Sequence, residues 1–304
     1  MGTSELISVI VPVYNGAGTI DQTLKSIRNQ THQHLEIVIV DDGSTDGTQE
    51  VVLDHARADR RIRLIRQTNA GVAAARNRGI AEAVGDLVAP IDADDLWSED
   101  KLRKQLYALE RGGEGIVLVY TWSTIVDGKG NVIEAKPGAT DDGDVLPALF
   151  FDGNFIGNGS AVLMRKSAVF AAGGYDVSLR ARSAQGCEDF LLYFRMARLG
   201  RFAVVPEYLT MYRQSPGSMS SDVRQMLRSM QIVNDEICRE YPSMAPRRRA
   251  NLSHYMVWLY RRALTCGQPR DALFVVAQLA RLNPRRAIGA LLRTFQPRSP
   301  RARG

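Results

Sequence analysis

Asp86-Leu87-Val88-Ala89-Pro90-Ile91-Asp92-Ala93-Asp94-Asp95 joins an apolar run of strand length to three carboxylates within four positions. Carboxylates crowded at the end of a buried strand repel one another and lose hydration, and both effects cost free energy. A divalent cation holding a phosphorylated ligand offsets that cost. The segment therefore predicts a strand over 87–91 that delivers acidic side chains to a phosphate site. On strand alternation, Asp92 and Asp94 project to one side and Ala93 to the other.

Working outward, the N-terminal half alternates between two hydrophobic periods. Runs at 7–13, 35–40 and 62–67 read as strands, and the spacings within 20–30, 48–57 and 72–84 read as helices. Strands separated by helices argue for right-handed βαβ units and a mostly parallel sheet, with ligands beyond the carboxyl ends of the strands. Three strands end in polar groups there: Pro12-Val13-Tyr14-Asn15, Asp41-Asp42-Gly43-Ser44, and the acidic cluster. The middle of the chain mixes strands at 116–120, 160–164 and 203–205 with Gly- and Asp-rich loops. Beyond Asp222 the pattern is helical, over 223–241, 247–266 and 270–282, with a last short helix after Pro284 that reaches Phe295. The expected organisation is one α/β domain over 1–221 and a helical region with a basic tail over 222–304.

The chain has 304 residues, 45% of them hydrophobic and 24% charged, an ordinary globular composition. Three cysteines without a CxxC pair suggest neither a disulfide framework nor a zinc knuckle. No signal peptide and no apolar stretch of spanning length is visible, so a cytoplasmic setting is expected. The net charge of +6 resides in the tail. Residues 285–304 hold six arginines and no acid, and the remainder balances 33 basic against 33 acidic residues. Two readings of that tail stay open: a solvated terminus, or an amphipathic segment (Ile288, Leu291, Leu292, Phe295) in peripheral contact with an anionic membrane leaflet. No nucleic-acid partner is expected, because no recognition motif accompanies the arginines.

The ordered motifs Pro12-Val13-Tyr14-Asn15, Val40-Asp41-Asp42-Gly43-Ser44-Thr45-Asp46, Ala75-Arg76-Asn77 with Gly79, Asp92-Ala93-Asp94-Asp95 and Glu188-Asp189 resemble the family 2 glycosyltransferases over about residues 5–220. The resemblance implies the GT-A fold, a Rossmann-like sheet flanked by helices. It also implies inverting transfer from a nucleotide-diphosphate sugar with Mn²⁺ or Mg²⁺. It gives Tyr14 a base-stacking role with Pro12 shaping the wall and Asn15 beside them, and gives Asp42 the base imide. Arg76 then meets a phosphate or organises the acidic cluster. Asp92 contacts the ribose or a metal-bound water, Asp94 ligates the cation, and Asp95 supports its neighbours or caps the next helix. Asp189 is the implied base that takes the proton of the acceptor hydroxyl, with Glu188 as the second candidate.

Beside these roles stand blander ones: an Asx-turn and a helix cap at 41–46, and an acidic first helical turn at 188–189. One departure is plain. Members of the family often carry Tyr-Arg-x-His-x-x-Ser after the last strand, and here the run is Tyr212-Arg213-Gln214-Ser215-Pro216-Gly217-Ser218. Ser215 is a poor substitute for a histidine ligand, while Arg213 is expected to face the diphosphate. The implied substrates are a nucleotide-sugar donor, with a uridine nucleotide favoured, and a glycan or lipid-linked acceptor. The competing readings are a sugar nucleotidyltransferase and a non-catalytic nucleotide-sugar-binding protein.

Overall fold

The computed structural model describes residues 5–135, 137–214 and 218–294. Its elements run β1 (Ile7–Val13), α1 (Ile20–Arg28), β2 (Leu35–Asp41), α2 (Thr48–Ala58), β3 (Ile62–Arg66), α3 (Val72–Glu82), β4 (Leu87–Pro90), β5 (Leu96–Trp97) and α4 (Lys101–Gly112). They continue with β6 (Ile116–Val126), β7 (Val132–Glu134), α5 (Leu146–Asp152), β8 (Val162–Arg165), α6 (Lys166–Ala171), α7 (Ser178–Ala181), α8 (Glu188–Met196) and β9 (Arg201–Arg213). Four helices follow: α9 (Val223–Glu240), α10 (Arg248–Thr265), α11 (Pro269–Leu282) and α12 (Pro284–Thr294).

The strands form one sheet in the order β3-β2-β1-β4-β8-β6-β9-β5, with β7 paired to β6. β1 is buried along its whole length between β2 and β4, which is why its sequence is continuously apolar rather than alternating. The pairings β1–β2, β2–β3, β1–β4 and β6–β9 are parallel, whereas β4–β8, β6–β8, β6–β7 and β5–β9 are antiparallel. The parallel expectation thus describes the N-terminal half of the sheet, and the whole is mixed. Ile20, Leu24 and Ile27 of α1 and Leu102, Leu106 and Leu109 of α4 join Ile7, Val9 and Val11 of β1 in one core. On the strand face met by α3, a Cβ at Gly79 would lie 2.5 Å from Ile10 Cγ2 and 3.2 Å from Val40 Cγ2. Glycine there lets the helix settle directly on β1 and β2, and it fixes where the α3 side chains reach.

The chain divides into two compact units. The first holds the sheet and its helices. The second gathers α9–α12 with the short pieces Phe151–Gly153 and Ser183–Cys187. In the second unit α9 buries Val223, Met226, Leu227, Met230, Val233 and Ile237 at helical spacing. Asp222 caps it, its side chain accepting from the Gln225 amide at 2.9 Å. Pro269 opens α11 one residue past its cap, the position where a missing N–H is harmless. No helix among the described residues is long and apolar enough to cross a membrane. Phe295 and the arginines at 298, 301 and 303 lie outside the described residues.

Candidate active site

Because β1, β2 and β4 are parallel, their carboxyl ends share one edge: Val13 pairs with Asp41, and Ile10 with Pro90. Tyr14 leaves that edge with 53% of its surface exposed. Pro12 sits inside β1 opposite Val40, buried under the edge. Asn15 adopts a left-handed φ of 51°. Its amide N–H donates to Ser44 Oγ at 2.9 Å, and its side-chain oxygen accepts from the Thr45 amide at 2.8 Å. These two bonds lace the first loop to the second.

Asp41 is the Asx-turn residue, accepting from the Ser44 amide at 2.8 Å. Asp42 is buried, and its carboxylate accepts from Gln67 Nε2, the Ala70 amide and the Gly71 amide, each at 2.8 Å. It thereby fixes the 69–71 loop that launches α3. One carboxylate lone pair remains beyond these three bonds.

The acidic cluster differs from its expected geometry. β4 ends at Pro90, and residues 92–95 form a turn closed by the Asp95 amide donating to the Asp92 carbonyl at 3.0 Å. Strand alternation therefore does not set the directions of Asp92 and Asp94. A hydrogen-bonded frame does. Asp95 is fully buried and accepts from Ser160 Oγ at 2.5 Å and from the Arg213 amide at 2.8 Å. Ser160 Oγ in turn accepts from the Asp92 amide at 3.0 Å, and the Ser160 carbonyl accepts from Trp97 Nε1 at 2.8 Å. Asp95 supports its neighbours, as one reading held, and the α4 cap is Asp100.

Arg213 belongs to the same frame. Its guanidinium donates to the Asp94 carbonyl at 2.8 Å, the Gly128 carbonyl at 3.2 Å and Gln22 Oε1 at 2.8 Å. Three of its five donors are thus committed to the protein, which makes it a clamp on the acidic turn, and two N–H groups remain beyond these bonds. Ser215, the departure from the family pattern, lies outside the described residues.

Arg76 projects from α3, buried to 6% exposure, with Nη2 donating to Asp92 Oδ1 at 2.5 Å. Its guanidinium lies 5.1 Å from the centre of the buried Tyr175 ring. A Cβ at Gly159 would come within 2.8 Å of Nη2, so the glycine makes room for this cation. Burial opposes its charge, but Asp92, Tyr175 and Asp189 outweigh burial and push its basicity upward. The neighbouring Asn77 binds the Tyr175 backbone both ways, donating to its carbonyl at 2.8 Å and accepting from its amide at 2.9 Å.

Glu188 and Asp189 open α8, where two carboxylates complement the helix dipole. Glu188 is buried at 3% exposure, whereas Asp189 is half-buried. Asp189 accepts from Asn154 Nδ2 at 3.3 Å and from the Phe190 amide at 2.7 Å. Burial raises its pKa, Arg76 counters that shift, and Asp92 adds to it.

Asp94, like Asp92, is half-buried in the turn. Burial, and after it the charge of Asp92, lift its pKa to about 6. A dication beside Asp94 would reverse both penalties. Among the described residues no cluster of three or more His, Cys, Asp or Glu side chains could hold a metal by itself. One or two carboxylates next to a phosphate site suit Mg²⁺ or Mn²⁺, ions that complete their shells with phosphate oxygens and water. Asp94, with Asp92 beside it, fits that role.

The frame yields a stability prediction. Ser160→Ala removes one of the two donors to the buried Asp95 carboxylate, which should lower the unfolding free energy by about 1–3 kcal/mol in chemical denaturation. A variant as stable as the parent would remove Ser160 from the frame.

The Glycosyl transferase family 2 model matches residues 8–169, more than half of the chain. The chain belongs to that family. Among curated members, the putative teichuronic acid biosynthesis glycosyltransferase TuaG of Bacillus subtilis (strain 168) is 44% identical over 108 residues, which is 35% of this chain and 43% of TuaG. An uncharacterized glycosyltransferase of Rickettsia felis is 38% identical over 143 residues, 47% of this chain and 23% of that protein. The chain thus spans less than half the length of these family 2 relatives.

Two solved structures show the fold. S. aureus TarS 1-349 in complex with UDP-GlcNAc has a TM-score of 0.66 at 17% identity, over 93% of this chain and 83% of that one. The mannosyltransferase PcManGT from Pyrobaculum calidifontis, in complex with GDP-Man and Mn²⁺, has a TM-score of 0.60 at 20% identity, over 96% and 81%. The architecture is the GT-A fold that the resemblance implied.

Within this family 2 frame the structure brings Tyr14, Asp42 and Asp92 to one sheet edge and couples Asp92 to Arg76. It also gives Asn15 and Arg213 hydrogen bonds that tie the loops of that edge together. The framing bonds of Ser160 and Asn77 are not legible in the sequence. The only signal for either was its place in a motif, Ser160 after Gly157-Asn158-Gly159 and Asn77 beside Arg76.

Proposed function

We propose that this chain is an inverting, metal-dependent glycosyltransferase that moves a sugar from a nucleotide diphosphate, UDP by preference, to an acceptor hydroxyl. Residues 1–221 form the catalytic domain and 222–304 an accessory helical region. The observation that carries the reading is Arg76, bonded to Asp92 and charge-coupled to Asp189, so that the acidic turn and a half-buried carboxylate base share one charged centre. The named teichuronic acid relative and the UDP-GlcNAc complex of TarS favour cell-surface glycan, polysaccharide or glycolipid synthesis. The acceptor is then a glycan or a lipid-linked saccharide, met by peripheral contact with a membrane from the cytoplasmic side.

In this mechanism Tyr14 stacks on the base within the wall whose floor is Pro12, and the remaining lone pair of Asp42 accepts from the base imide. Asn15 holds that wall in place by lacing the two loops. Asp92, oriented by Arg76, receives the ribose. Asp94 holds the divalent ion, which when bound stabilises charge on the departing diphosphate. Asp189 takes the proton from the attacking hydroxyl as the acceptor oxygen bonds to the anomeric carbon and the diphosphate leaves from the opposite face. Glu188 is buried behind it and is the secondary candidate. Arg213 keeps the acidic turn in place.

The donor half of this reading is tested by calorimetry of UDP with Mn²⁺ present. Tyr14→Ala should weaken binding by the worth of one base stack, about 1–3 kcal/mol or roughly 5- to 150-fold. Equal affinities for parent and variant would rule Tyr14 out as the platform.

A further inference from the structure

α12 is packed the reverse of an ordinary surface helix. Its small residues Ala287 and Ala290 are buried, at 3% and 6% exposure. Its large aliphatic residues point the other way, with Ile288 at 57%, Leu291 at 40% and Leu292 at 62%. At 100° per residue, Arg285, Ile288 and Leu292 share the outward stripe, and Leu291 borders it. A helix selected only to close the second unit would turn its leucines inward, since each one buried is worth more than an alanine.

The charge around the stripe is one-signed. Residues 272–294 contain four arginines (281, 285, 286 and 293) and no acidic residue. Arg281 and Arg285 are exposed and Arg286 is half-buried. An apolar stripe inside a purely cationic border suits a surface that is apolar beneath and anionic on top. It suits other occupants poorly. The chain's own residues 295–304 carry three further arginines and no acid, so folding them over this face would set like charges together. A two-fold self-contact centred on the stripe would press Arg285 and Arg286 toward their own copies.

We infer that the outward face of α12, built on Ile288 and Leu292 with Arg281, Arg285 and Arg286 around them, is the surface by which this protein docks on an anionic lipid bilayer. The inference rests on the peripheral contact proposed above and names the residues that make it. The aliphatic side chains enter the headgroup boundary while the arginine stems lie along it with their guanidinium groups at the phosphates.

The test is cosedimentation of the full chain with vesicles of phosphatidylcholine alone and of equimolar phosphatidylcholine and phosphatidylglycerol. The parent should bind the mixed vesicles, release at high salt and leave phosphatidylcholine alone unbound. Ile288→Asp with Leu292→Asp should lower the partition coefficient by at least about tenfold. Arg285→Glu with Arg286→Glu should lower it comparably. Val84→Asp, at a 73% exposed apolar residue of the first unit, should bind like the parent. Circular dichroism should show all three variants folded, since the replaced side chains are largely at the surface. A parent that ignores anionic vesicles would overturn both this inference and the peripheral contact it rests on. A parent that binds while the Ile288/Leu292 variant binds equally would overturn only the assignment to α12. Sedimentation velocity showing a dimer that this variant dissociates, with lipid binding unchanged, would make the face a self-interface and overturn the inference as well. Donor turnover on a water-soluble acceptor should be equal in parent and variants, which separates failure of the docking surface from failure of the transferase reading.

Discussion

Asp189→Asn is expected to lower kcat by about 10²–10⁴-fold, the usual worth of a positioned general base, while UDP affinity stays that of the parent. The amide keeps the size of the side chain and one acceptor oxygen, enough for the Phe190 amide, while the contact with Asn154 Nδ2 is given up together with the ability to accept a proton. The pH profile carries an independent signature. The base works ionised, and burial raises its pKa despite the opposing charge of Arg76. A raised pKa means that the ionised fraction begins to fall at a higher pH than for an ordinary carboxylate. The acid limb of kcat/KM should therefore lie above the ordinary Asp range, and Asp189→Asn should abolish that limb along with most of the rate. Steady-state kinetics over pH 4–9 measure both. A variant with full transfer to a genuine acceptor would remove Asp189 as the base and return attention to Glu188.

The second large effect is expected at Asp94. Asp94→Ala takes away the carboxylate best placed to hold the divalent ion and should lower kcat/KM for the donor by roughly 10²–10⁴-fold, several kcal/mol of transition-state stabilisation. Titration of Mn²⁺ and Mg²⁺ against rate distinguishes this from a folding defect, because the concentration of metal giving half-maximal rate should rise strongly in the variant. The fold itself should tolerate the change. Asp94 contributes only its backbone carbonyl to the Arg213 clamp, and its carboxylate, with a pKa near 6, is a strained resident of the turn. An unchanged metal dependence with a merely lower rate would contradict the assignment.

Much of the first half of the chain was legible from residue periods. β1 and β4 are buried on both faces and so appear as plain apolar runs, and α1 shows the 3.6-residue spacing of its buried stripe. The later strands were read too short, for a physical reason. β6 continues past Tyr120 through Trp122-Ser123-Thr124, which is half-exposed and therefore loses the apolar signal. β9 runs from Arg201 to Arg213 across Pro206-Glu207. There its register against β6 jumps from Thr121–Val205 to Trp122–Tyr208. A proline and a bulge within a strand erase the pattern by which strands are recognised.

The site divides in the same way. Tyr14, Asp42, Arg76, the acidic turn and Glu188-Asp189 were visible because their residue types in that order form a motif. What holds them was not. The turn of Asp92 to Asp95 is held by Ser160 and Arg213, residues 65 to 119 positions from their hydrogen-bond partners in it. Such contacts leave no local trace in a sequence. The bonds of Arg213 to Asp94, Gly128 and Gln22 were equally invisible, because its partners lie far from it in the sequence.

If these groups form one transferase centre, nucleotide should be released from a panel of UDP-, GDP- and other nucleotide sugars in the presence of Mn²⁺ or Mg²⁺. The expected result is metal-dependent release from at least one donor, a UDP-sugar first, that is lost in Asp94→Ala. Tight nucleotide binding without turnover of any donor, with and without glycan acceptors, would contradict it and leave a protein that binds nucleotide sugars without transferring them.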